Sequence, residues 1–105
     1  MTESEWKIFR QLREVALDRL CQRILSELTA LANDSQMTHH ERYGAVYKLI
    51  KDRDRQVAQG FDGASRSIAD FQLIFMRSLG LVTDEELARF SEETRSCIAA
   101  QVRNS

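Results

Sequence analysis

Few places in this chain carry residue types that do chemistry. His39, His40 and Glu41 stand side by side, and imidazole and carboxylate are metal-ligand types. Consecutive helix positions point in different directions, however, and the chain offers no second cluster of His or Cys to complete a shell. A helix N-terminus also disfavours protonated imidazole. No metal and no cofactor are expected. Ser65 and Ser67 flank Arg66, but no histidine is near in sequence and there is no nucleophile elbow. The Asp62-Gly63 step lacks the rest of a calcium loop. Cys21 and Cys97 lie in helical patterns beside apolar residues. They read as reduced thiols acting as small core hydrophobes. With no catalytic constellation in the sequence, the chain is not expected to be an enzyme.

Two charged features remain. Asp54 interrupts an otherwise apolar repeat. It reads either as a solvated break, paired to Lys51 one turn back, or as a polar layer that sets the register of a helix pair. Lys48, Lys51, Arg55 and Arg66 recur at helical spacing, with Arg53 beside them. Such a basic face suits a protein partner or, as the runner-up, phosphates of a nucleic acid. Asp52, Asp54 and Asp62 lie among these cations, and no helix-turn-helix or zinc signature accompanies them. A solvated face with local ion pairs is the plainer reading.

The elements that hold these residues are helices. Thr2 and Glu5 have the spacing of a capping box, with Met1 and Trp6 as its apolar staple. Phe9, Leu12, Ala16, Leu20, Ile24, Leu28 and Leu31 then trace one helix face. Leu17, Cys21 and Leu25 widen it, so more than one neighbour should cover this helix. It should end near Asn33, followed by a short polar link. Thr38 and Glu41 open a second helix. Its apolar positions form a heptad seam: Tyr43, Ile50, Val57, Ala64 and Phe71 in one set, Tyr47, Asp54, Phe61, Ile68 and Phe75 in the other. Leu73, Ile74 and Met76 should be buried as well, and Trp6, Phe71 and Phe75 are most simply core. Gly80 suits a left-handed C-cap. Thr83 and Glu86 form a third capping box, stapled by Val82 and Leu87, before a short helix over about 84–90. Ser91 caps a last helix whose Ile98 and Val102 are spaced to face the core.

Gly60 and Gly63 fall in the middle of the seam. Two interior glycines cost a helix roughly 2 kcal/mol relative to alanine. Yet Val57, Phe61, Ala64 and Ile68 keep the heptad phase across them, which a loop would not require. The periodicity therefore predicts one helix over about 39–79, roughly 60 Å long at 1.5 Å per residue. That overshoots a compact chain of this size, whose radius of gyration would be about 13 Å. Such a helix needs a partner, most simply a second copy, and the small residues Gly60 and Ala64 would let another helix approach closely.

The composition agrees with a helical protein. The 105 residues are 43% hydrophobic and 30% charged, with four glycines and no proline. An all-β chain would need more turns than these supply. A net charge of −1 disfavours general affinity for nucleic acid or anionic membrane. No apolar run approaches a membrane span and the N-terminus lacks a signal-peptide layout, so a cytoplasmic location is expected.

The sequence thus predicts a single all-α domain over 1–105: an antiparallel helical hairpin with a long central helix and short C-terminal helices, its bundle completed by dimerisation. The expected role is a protein–protein interaction or regulatory module. It would self-associate through Val57, Phe61, Ala64, Ile68, Phe71 and Phe75, with Asp54 as a register-setting residue. Lys48, Lys51, Arg53, Arg55 and Arg66 would meet an unidentified protein partner. The alternative is a nucleic-acid-associated regulator using the same basic face.

Overall fold

A computed structural model describes the backbone of residues 1–104 and the side chains of residues 1–100. Among them there are five helices and no strand: α1 (Glu3–Ala32), α2 (His39–Phe61), α3 (Arg66–Ser78), α4 (Asp84–Leu87) and α5 (Glu92–Asn104). The three capping boxes read from the sequence, at Thr2, Thr38 and Thr83, all form in both directions. Gly80 takes φ +67°. Around it Leu81 N–H donates to Met76 O and Gly80 N–H to Arg77 O, which is the Schellman closure of a helix. Ser91 Oγ accepts from Thr94 N–H at the start of α5.

The single helix expected over about 39–79 is broken. Phe61 is the last residue of α2, Asp62 turns to ψ 127°, and Gly63 adopts φ +68°. Gln72 Nε2 donates to the Gly63 carbonyl and holds the turn. α3 then folds back so that Phe75 lies against Gly60. A Cβ added to Gly60 would stand 2.1 Å from the Phe75 ring. Phe61 and Phe75 meet edge to face at 6.4 Å. The expectation that a small residue would mark a close helix approach holds at Gly60, although the approaching helix belongs to the same chain.

The reversal wins because it buries more. Folding α3 back takes Ala69, Leu73 and Met76 to zero exposure. Leu and Met burial contributes about 1.5–3 kcal/mol per side chain. Helix continuity would have saved only local hydrogen bonds near two glycines. Each half keeps an apolar face of its own, and the two faces point at different neighbours.

The core is gathered at one end of the molecule. α1 contributes Phe9, Leu12, Ala16 and Leu20; α3 contributes the three residues just named; Leu81, Val82, Leu87, Phe90 and Ile98 close it. From residue 21 to residue 59 no side chain is buried. The second half of α1 and nearly all of α2 form an arm whose contacts run in opposite order along the two helices: Arg13 with Phe61, Glu27 with Arg53, Ala32 with Arg42. The molecule measures 52 × 24 × 22 Å with a radius of gyration of 16.6 Å, against about 13 Å for a compact chain of this length.

Two other expectations are corrected. Phe71 is 72% exposed rather than core. It follows a turn that points the Leu73–Met76 face inward and leaves Phe71 outside. Cys97 is exposed on α5, and Cys21 is half-buried on the arm. Val102 lies outside the described side chains.

Candidate interaction surface

Four arginines close the ends of other helices, three of them at the base of the molecule and Arg42 at the tip of the arm. Arg13 donates to the Phe61 carbonyl at the C-terminus of α2. Arg42 donates to Ala32 O at the end of α1, at 2.9 Å. Arg23 donates to Leu79 O and Gly80 O after α3. Arg19 donates to Leu81 O and, through both terminal nitrogens, to Glu86 at 2.7 and 2.9 Å. α1 and α2 have no basic residue in their own last turns. Their unpaired C-terminal carbonyls are satisfied instead by guanidinium groups from other helices.

The carboxylates with altered acidity have structural roles too. Glu5 is buried and accepts from Thr2 N–H, from Ser91 N–H at 2.8 Å and from Thr94 Oγ at 3.1 Å. It joins the N-termini of α1 and α5. These hydrogen bonds, those from Ser91 first, hold its pKa down at about 2 despite its burial. Glu86 is likewise lowered to about 2, chiefly by its bond to Arg19. A strongly shifted carboxylate is a marker of active sites, but both of these are fully occupied as helix caps. Neither lines the cleft of about 380 Å³ between α3, α4 and α5, where Leu87 and Ile98 form an apolar wall and Arg77 pairs with Asp84 at 3.0 Å.

The residues singled out for metal binding do not come together. His39 and His40 are exposed at the start of α2, and no group of three or more metal-ligand side chains assembles among the described residues. The basic residues are divided. Arg53 is held by Glu27 at 2.9 Å, and Arg66 sits beyond the break, paired with Glu3 and stacked over Trp6. Lys48, Lys51 and Arg55 remain exposed on α2, with Lys51 over the Tyr47 ring at 5.9 Å. The five cations therefore do not share one helix face. Asp54 is exposed, and Lys51 turns to Tyr47 rather than to it.

The seam residues separate along the same line. Phe61 is buried, Phe75 packs on Gly60, and Val57 lies half-buried at the edge of the core. Ala64 is exposed in the turn; Ile68 and Phe71 border an open hollow with Gln59 and Asp62. What stays bare is the upper part of the repeat. Tyr43, Tyr47 and Ile50 are 74%, 62% and 48% exposed. They continue, at spacings of four, three and seven residues, the line that Val57 and Phe61 follow into the core. α3 covers the foot of this stripe, and α1 meets a different face of α2, through half-buried Val46, Leu49 and Arg53. Among the described residues nothing covers the top. Leu25, 61% exposed, adds a further apolar side chain on the α1 side of the arm. The heptad pattern contained Tyr43, Tyr47 and Ile50; that they, rather than Phe61 and Phe75, are left uncovered depends on where α3 turns back.

No helix among the described residues is long and apolar enough to cross a membrane. Neither a protein-family model, nor a curated protein, nor a solved structure matches the chain.

Proposed function

We propose that this chain is a non-catalytic protein–protein interaction module that pairs with a second copy through its arm. The observation that carries the reading is the bare line Tyr43, Tyr47 and Ile50, continuous with residues already used in the core. Two antiparallel α1–α2 hairpins laid stripe to stripe make a four-helix bundle, the smallest arrangement that covers such a face. Tyrosine suits this place. It gives a large, stiff contact area with a hydroxyl able to stay hydrated or to bond across the pair. Asp54 stands in the stripe between Ile50 and Val57, where a lysine or a tyrosine hydroxyl from the second copy can meet it. It would thereby favour one register. Lys48, Lys51 and Arg55 flank the stripe and are placed for a further protein partner. A phosphate-binding role for this face has less support, because Arg53 and Arg66 are held in ion pairs and Asp52 and Asp54 interrupt the rest.

Size exclusion coupled to light scattering tests this directly. The native chain should run as a dimer in the micromolar range. Tyr47→Lys with Ile50→Lys should give a monomer with unchanged helicity. A native chain that is monomeric up to high micromolar concentration refutes the reading.

A further inference from the structure

The segment joining α2 to α3 is weakly anchored. Residues 62–67 are all exposed. Ser65, in the N-cap position of α3, makes no capping bond. From outside the segment, Gln72 Nε2 donates to the Gly63 carbonyl while the Oε1 of that same amide is buried without a partner, and Arg66, exposed at the head of α3, pairs with Glu3 over the Trp6 ring. The sequence on either side nevertheless keeps one heptad phase, from Val57 and Phe61 through Ala64 and Ile68 to Phe71 and Phe75. A connection used only as a turn has no need of that phase. A connection that is also used as a helix does.

We infer that α2 and α3 can join into one straight helix, and that two copies of the chain then exchange their α3–α5 segments. The inference rests on the self-association reading above and names how the two copies engage. Straightening swings α3, α4 and α5 off their own α1 and exposes Leu73, Met76 and Leu81, which are fully buried in the single chain. Only one surface matches them in shape and hydrogen bonding: the α1–α2 base of another copy. There Arg19 meets Glu86, Arg23 meets the Leu79 and Gly80 carbonyls, and Glu5 meets Ser91, all as they do within one chain. Every contact except those of the turn is recovered between copies, the usual condition for exchange of a segment. The turn is replaced by helix, which two glycines disfavour. In return Phe71, 72% exposed in the single chain, joins a seam that runs across the dimer. Ala64 lies at the midpoint, small enough for two such helices to pass closely.

The test uses the full chain with Cys21→Ser and Cys97→Ser, carrying Arg19→Cys and Glu86→Cys, on α1 and α4 and far from the turn. Monomer and dimer fractions are treated with a short thiol-bridging reagent and run on a denaturing gel. Exchange predicts cross-links within one chain in the monomer and covalent dimers in the dimer fraction. A dimer fraction that cross-links only within chains overturns exchange and leaves the arm-to-arm dimer standing. A chain that never dimerises overturns both. Gly63→Ala needs no engineered cysteine. Its added Cβ meets nothing within 4 Å, so it acts only on conformation, against φ +68° and for helix. The helix preference is worth about fivefold per hinge, so the dimer association constant should rise about 25-fold, since the dimer has two hinges. An unchanged or lower constant overturns the hinge.

Discussion

At the scale of single residues, polar groups here serve to close helix ends. Glu5 is the clearest case, because one carboxylate serves the start of α1 and the start of α5. Its pKa lies at about 2 against an ordinary 4.5, as does that of Glu86. A carboxylate with a lowered folded pKa favours the fold above its unfolded value, and loses that contribution as pH falls toward the folded one. Stability should therefore hold from neutral pH down to about 4.5 on account of these two groups, then fall between about 4.5 and 2. Glu5→Gln should cost about 1–2 kcal/mol at pH 7, the range for lost caps and charge-assisted hydrogen bonds. It should cost clearly less at pH 2, where the native carboxyl is already about half protonated. Urea unfolding of both chains at the two pH values checks this; an equal cost at both would assign Glu5 a packing role instead.

At the scale of elements, the two glycines inside α2 should respond in opposite directions. At Gly44 an added methyl meets nothing within 4 Å, so Gly44→Ala should stabilise by up to about 1 kcal/mol through helix preference. At Gly60 the same methyl would stand 2.1 Å from the Phe75 ring. That ring packs edge to face on Phe61, and moving it aside gives up part of the α2–α3 contact. Gly60→Ala should thus lose about 1–3 kcal/mol net, as overpacked sites do. Thermal unfolding followed by circular dichroism separates the two outcomes. A gain at Gly60 would mean that Phe75 does not press on α2 at this position. The contrast also shows why the second helix was hard to delimit from sequence. Both positions are glycines within an apolar repeat, and only the returning helix distinguishes them.

At the scale of the whole molecule, stability is uneven along the long axis. Core side chains gather around the first two-thirds of α1, and the arm beyond has only half-buried contacts between two helices. Local opening follows such differences. Amide hydrogens over residues 24–32 and 42–56 should exchange at least tenfold faster than those around Leu12, Leu73 and Met76 when the chain is dilute. Raising the concentration into the dimer range should slow the arm and leave the base unchanged. Protection of the arm equal to that of the base in dilute solution would contradict a projecting two-helix arm.

Sequence alone determined the local syntax of this protein. The three Thr-to-Glu capping boxes, the Gly80 terminus, the apolar face of α1 and the helical character of the described residues follow from hydrogen-bond geometry within four residues and from the 3.6-residue period. Those forces act over short separations, so neighbouring residue types suffice to read them. The tertiary structure decided what is long-range: that α2 stops at Phe61, that Phe75 returns to Gly60, that Arg19 finds Glu86 and Glu5 finds Ser91. At Gly63 the local preference is only a kilocalorie or two in either direction, and burial of Leu73 and Met76 at a distance outweighs it. The same reversal determines which part of one continuous heptad becomes core and which part, Tyr43 to Ile50, stays on the surface.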